Sequence, residues 1–203
     1  MFYAIAKGLL KIYFHLFYGF KVTGRENVPT VGAVIVVANH ASALDPLALG
    51  AGCPRPLRFM AKAELFDNPI LALILRGLRA FPVKRGQVDR EAYRASMEAL
   101  GAGEALGIFP EGTRSRTGEL QAAHPGAARF SMKTGAPIVP AAVVGTFAGH
   151  RKSVNRFREA KVRVVFGAPI HPRVPAEGRI TREDSDRLAH QIMERIQDLI
   201  DAA

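Results

Sequence analysis

Residues 32–46 read GAVIVVANHASALDP. The first half is an unbroken apolar run rich in β-branched side chains, which suits a strand buried on both faces. The second half changes character at once, with Asn39, His40, Ser42 and Asp45 following just past the strand's expected end. In α/β sheets that end is where reactive groups are presented. His40 is a candidate general base, able to take a proton from an alcohol while Asp45 hydrogen-bonds its other ring nitrogen and fixes the tautomer. A structural reading stands beside this one: Asp45 followed by Pro46 suits a helix N-cap with proline at the first helical position, and His40 then fills a turn.

Working outward, further short apolar runs alternate with helical patterns. LRFMA (57–61), RAFPV (79–83), ALGIF (105–109), PIVPAAVVG (137–145) and KVRVVFG (161–167) read as strands. Residues 88–100 read as a helix ending at Gly101. Thr181 and Asp184 form a capping-box pattern ahead of a Leu188, Ile192, Ile196, Ile200 packing stripe. The expected fold class is therefore α/β: a single domain, its sheet covered by helices. No linker-like segment divides residues 23–203.

A second polar constellation follows the strand at 105–109. In FPEGTRS, residues 109–115, Gly112 lets the backbone approach a ligand, Thr113 offers a hydroxyl and Arg114 can grip a phosphate. An ordinary Pro-Glu-Gly turn with a solvated arginine reads equally well from this segment alone. Lys84 and Arg85 leave the strand at 79–83 and supply two more candidate cations. Val139, Pro140 and Ala141 offer an apolar wall that suits an acyl chain or plain sheet core.

The 203 residues carry 28 Lys and Arg against 18 Asp and Glu, a formal charge of +10, so anionic partners are expected. Cys53 is the only cysteine, which excludes an internal disulfide and fits a reducing compartment. No Cys cluster or paired-His spacing completes a metal site, and no metal or other cofactor is expected. No G-x-S-x-G elbow calls for a covalent acyl-enzyme.

Residues 2–22, FYAIAKGLLKIYFHLFYGFKV, set Lys7, Lys11 and His15 on one helical face and Phe2, Ile5, Leu9, Ile12, Leu16 and Phe20 on others, with no acidic residue before Glu26. Residues 1–22 are expected to form an amphipathic helix that anchors the chain peripherally on the cytoplasmic face of an anionic membrane, with a helix packed on the protein's own core as the plain alternative. Two lysines in the first half disfavour a spanning helix.

In chain order NHASALD, FPVKR, FPEGTRS and IVPAAVVG resemble the four blocks of the glycerolipid acyltransferases, most closely the bacterial 1-acyl-glycerol-3-phosphate acyltransferases (PlsC-like), over residues 22 to about 168. The resemblance implies a mixed, mostly parallel sheet covered by helices on both faces, with His40 the general base and Asp45 its orienting partner. It implies that Arg85 and Arg114 bind the acceptor's phosphate with Lys84 and Thr113 nearby, and that Asn39, Ser42, Glu111, Gly112 and Pro140 shape the pocket. The acceptor would be a lysophospholipid, 1-acyl-glycerol-3-phosphate giving phosphatidic acid. The donor would be acyl-CoA or acyl carrier protein, and no nucleic acid is expected as a partner. Lys84 stands where many members carry an acidic residue, and His124 where a basic residue, commonly Lys, is usual, so a lyso-aminolipid or glycolipid acceptor is a rival reading. A rival of another class, a basic membrane or nucleic-acid binder, draws on the RKSVNRFREAKVR cluster at 151–163 but leaves both strand-end motifs unexplained.

Overall fold

The computed structural model describes residues 2–84, 89–147, 161–173 and 180–203. The run 32–39 becomes β2 (Val34–Ala38), with every residue buried. It is flanked on one side by β5 (Ala105–Ile108) and on the other by β6 (Ile138–Val144), both parallel to it, with Val36 opposite Gly107 and Val139. Outside β5 lie β3 (Leu57–Lys62) and β4 (Phe81–Val83), also parallel. Outside β6 lies β7 (Arg163–Phe166), antiparallel to it, and then β1 (Lys21–Thr23). The order β1-β7-β6-β2-β5-β3-β4 makes one mixed, mostly parallel seven-stranded sheet.

Alternation along the strands sorts the core into two layers. Val34, Val36 and Ala38 pack with α1 (Phe2–Tyr18) and α2 (Asp45–Gly52) on one face. Ile35 and Val37 pack with α4 (Arg90–Gly101), α5 (Gly126–Thr134) and α6 (Arg182–Asp201) on the other. The α6 stripe is as expected: Leu188, Ile192 and Ile196 are buried, Ile200 is half-buried, and Thr181 with Asp184 forms a complete capping box. Helix α3 (Pro69–Gly77) starts on Asn68, whose Oδ1 accepts from the N–H of Ile70 and Leu71.

Proline interrupts β6 without breaking it. Past Phe166 the partner chain swings out, Gly167 N–H donates to the Pro140 carbonyl, and pairing resumes at Ile138 with Ile170. The missing N–H of Pro140 thus falls in a gap of the ladder.

The expected helix over residues 2–22 is shorter than its pattern suggests. It ends at Tyr18, Gly19 turns with φ 51°, and Phe20, placed on the exposed apolar face by spacing, is buried against Phe14. The chain then enters β1 at the sheet edge. Tertiary packing of an aromatic side chain outweighs the continuing apolar pattern. Among the described residues no helix is long and apolar enough to cross a membrane.

Gly107 on β5 makes room for Phe59, whose ring lies 2.4 Å from where a Cβ would sit. Gly107→Ala should therefore destabilise the fold by ~1–3 kcal/mol through overpacking, read as a lower urea midpoint with an unchanged slope. An unchanged midpoint would show that the Phe59 ring moves aside freely.

Candidate active site

The parallel strands deliver three loops to one end of the sheet: residues 39–45 after β2, 109–115 after β5 and 145–147 after β6. Asp45, with no exposed surface, ties the first of these to the third. Its Oδ2 accepts from the N–H of Ala41 and of Ser42, both at 2.7 Å, and lies 3.0 Å from His40 Nδ1. Its Oδ1 accepts from Thr146 Oγ1 at 2.5 Å. The capping alternative fails on this geometry: Leu44 occupies the N-cap of α2, and the Asp45 carboxylate points back at the 40–42 turn.

With Nδ1 engaged, the carboxylate favours the tautomer that carries its proton on Nδ1 and leaves Nε2 as the basic nitrogen. The ring is stacked on Phe109, centroids 4.3 Å apart and planes at 24°, and Phe109 lies nearly parallel to Phe59 at 6.0 Å. The FPEGTRS loop also grips the His40 backbone. Glu111 Oε1 accepts its N–H at 2.6 Å, and Ser115 N–H donates to its carbonyl at 2.8 Å. Glu111 Oε2 accepts from Gln121 N–H at 3.2 Å.

His40 opens onto a cavity of about 420 Å³ on the α1/α2 face of the sheet. Its walls are mainly apolar, including Leu10, Leu47, Leu75, Leu78 and Phe59, and Arg114 stands among the lining residues. Two further cations line it that sequence reading missed as site residues, Lys7 from α1 and Lys62 from β3. Lys7 Nζ donates to the Cys53 carbonyl, and burial holds its ammonium below the usual lysine range. Lys62 pairs with Glu64 at 3.1 Å. Arg114 makes no hydrogen bond or ion pair among the described residues and is exposed.

The other expected site residues divide. Ser42 is buried, its Oγ accepting from Leu44 N–H. Asn39 is turned away from the cavity: its amide donates to the Val143 carbonyl and accepts Val143 N–H, extending the β2–β6 pairing past the strand end. Gly112, at φ 68°, and Thr113 lie exposed on the loop, with His124 packed where a Cβ on Gly112 would be. Lys84 is exposed beyond β4, its N–H held by Asp89, and is not part of the cavity wall. Arg85 lies outside the described residues, as does most of the 151–163 cluster. Pro140 is not brought to the cavity. It lines a separate hollow of about 840 Å³ beside α6 on the opposite face, because period-two alternation turns it away from Val139 and Ala141. Thr146 escaped sequence reading, although a polar residue just past a buried strand was the available signal.

An imidazole aimed by a buried carboxylate can take a proton from a hydroxyl, and a free guanidinium beside an apolar cavity can hold an anionic group. The acyltransferase family model matches residues 19–144, which spans all of these loops except Gly145, Thr146 and Phe147. The chain belongs to the acyltransferase family. Among similar proteins, the 1-acyl-sn-glycerol-3-phosphate acyltransferase of Bacillus subtilis is 33% identical over 170 residues, covering 83% of this chain and 82% of that protein. That of Borreliella burgdorferi is 34% identical over 128 residues, and this chain spans 51% of its length. The crystal structure of the 1-acyl-sn-glycerophosphate (LPA) acyltransferase PlsC from Thermotoga maritima superposes with a TM-score of 0.75 at 29% identity, covering 97% of this chain and 78% of that one. This acyltransferase thus shares its fold with that structure over nearly its whole length.

Burial pushes the Glu111 carboxyl above the usual glutamate range, outweighing the backbone N–H groups of His40 and Gln121 that favour the anion. A group whose folded pKa is raised contributes stability that is complete below its unfolded value and lost as pH climbs through the folded one. Glu111→Gln removes this titration and adds a pH-independent cost, since its NH₂ must face one of two N–H donors. Urea denaturation of both proteins should show the wild-type advantage greatest near about pH 4 and shrinking as pH rises. A difference that stays constant with pH would refute the assignment.

Proposed function

We propose that this acyltransferase moves a fatty acyl group from an acyl thioester to the free hydroxyl of 1-acyl-glycerol-3-phosphate, giving phosphatidic acid. The observation that carries this reading is the His40–Asp45 pair opening onto the cavity that Arg114 also lines. The names of the Bacillus and Thermotoga relatives support the choice of acceptor.

In this mechanism the acceptor's phosphate is held by Arg114, which offers paired N–H donors to its oxygens. Arg85 is proposed to join it. Docking at the phosphate brings the hydroxyl to His40 and makes its attack on the thioester carbonyl effectively unimolecular. Nε2 takes the hydroxyl proton as the new C–O bond forms. Asp45 stabilises the resulting imidazolium, and Phe109 lies against its face. The C–S bond then breaks and the thiolate leaves, taking the proton. The reaction so written uses no metal or cofactor.

We also propose that α1 holds the protein peripherally on the membrane. Ile5, Leu9, Ile12 and Leu16 remain exposed along it, while Phe14 and Tyr18 fix its other side to the core. Because α1 is part of that core, charge substitution tests this better than deletion. The Ile5→Glu/Leu9→Glu double variant should sediment far less with anionic vesicles than wild type while keeping its melting temperature. Equal sedimentation would refute the anchor.

His40→Ala should lower turnover of lysophosphatidic acid by about 10²–10⁴-fold, the usual share of general-base catalysis. Arg114→Ala should chiefly raise the acceptor KM, with less effect on a donor-only thioester hydrolysis. Wild-type turnover by folded His40→Ala would overturn the mechanism. Thiol release that does not depend on acceptor would make the protein a thioesterase instead.

A further inference from the structure

Helix α3 has the composition of a core helix and almost no core of its own. Among its nine residues only Ala72 is buried. Helical spacing sorts the rest into two stripes. Leu75 and, one residue past the helix end, Leu78 face the cavity that holds His40. Ile70, Leu73 and Ile74 turn outward and are 72%, 73% and 42% exposed. Leu65, in the turn just before, is exposed as well.

The outward stripe runs on to Gly77, and there it meets α1. The Phe2 ring lies 2.6 Å from where a Cβ on Gly77 would stand. The exposed apolar side chains of α3 therefore adjoin those of α1, and both helices also supply wall to the His40 cavity. A contiguous apolar patch of this kind marks an interaction surface.

Charge indicates the partner. Neither helix contains an acidic residue, while Lys7, Lys11 and Arg76 lie on them. The first 63 residues hold only two acids, Glu26 and the buried Asp45. Two apolar helices carrying cations alone, with Glu64 and Asp67 confined to the turn before α3, match an anionic lipid headgroup layer over acyl chains. A protein partner of mixed charge would call for both signs on this surface.

We propose that α3 is a second membrane-contacting element, lying with α1 in the interface of an anionic bilayer so that two walls of the His40 cavity face the lipid. The inference rests on the acyl-transfer reading for its purpose, since an acceptor held in the bilayer then reaches the cavity without crossing water. It does not rest on that reading for its test.

The chain contains no tryptophan, so each introduced one is the sole indole, read apart from the four tyrosines by excitation at the red edge. Leu73→Trp reports on α3 and Ile5→Trp on α1. Val31→Trp, at an 80% exposed position ahead of β2 and so at the end of that strand away from His40, is the reference. With vesicles of equal parts phosphatidylcholine and phosphatidylglycerol, the Leu73→Trp and Ile5→Trp emissions should move to shorter wavelength and be quenched by lipids brominated in their acyl chains. The Val31→Trp emission should do neither. A response from Ile5→Trp without one from Leu73→Trp would overturn the proposal and leave the α1 anchor standing. A Leu73→Trp shift that appears without vesicles and grows with protein concentration would also overturn it, identifying a second copy of the chain as the cover. Ile70→Glu/Leu73→Glu, if it keeps its melting temperature, should weaken vesicle partitioning by roughly tenfold or more, and undiminished partitioning would contradict the proposal. Acyl transfer to a soluble short-chain acceptor, measured on the same variants without vesicles, reports separately on the catalytic reading.

Discussion

A carboxylate removed wholly from water must have its charge answered by the protein, and at Asp45 that requirement organises the site. An isolated buried anion is costly, whereas one accepting several hydrogen bonds is tolerated. The N–H groups of Ala41 and Ser42 fix the turn after β2, and the Thr146 hydroxyl ties that turn to the end of β6. The remaining partner is the His40 ring, so the imidazole's orientation follows from the way the carboxylate is neutralised. Removing any one donor disturbs the others, because all four share two oxygens.

The sheet order makes this meeting possible. β2 lies centrally, and its neighbours β5 and β6 run parallel to it, so three chain segments far apart in sequence finish side by side. This is a switch point of the kind where open α/β sheets hold their ligands. The two strand-end motifs are joined through the backbone of His40, which Glu111 and Ser115 clamp from either side. Glu111 thus acts on the geometry of His40, its two oxygens occupied by two N–H groups, while Arg114, three residues on, keeps no protein partner among the described residues.

The central strands were legible because β-branched runs bounded by turn residues leave few alternatives, and α6 because a capping box and a four-residue stripe agree. What escaped did so for local reasons. β1 is a three-residue edge strand, too short to show alternation. Helix α3 is only nine residues long and carries a single charge, Arg76, so PILALILRG reads as a short apolar run that fits a buried strand as well as a helix. In the site, His40, Asp45, Glu111 and Arg114 were readable from two compact motifs. Thr146 was not, because its partner lies 101 residues away. Lys7 and Lys62 were lost among other cations, and Pro140 was assigned to the pocket although strand alternation turns it to the other face.

Net charge alone could not choose among nucleic acid, membrane and phosphorylated ligand, but the distribution of unspent charge narrows the choice. At the cavity, Lys7 is committed to a carbonyl and Lys62 to Glu64, while Asp45 and Glu111 are neutralised by donors within the loops. Arg114 is left as the one lining cation with no protein partner among the described residues. A guanidinium in that state beside a largely apolar hollow favours a ligand with an anionic head and a hydrocarbon body over a polyanion, whose recognition needs a row of cations along a groove. The two exposed helices around the same hollow continue that logic outward, since they offer apolar surface and positive charge at the scale of a membrane interface. Around the His40 cavity these features form one arrangement: positive charge held at the rim, apolar surface beneath it, and Asp45 and Glu111 hydrogen-bonded from within the loops.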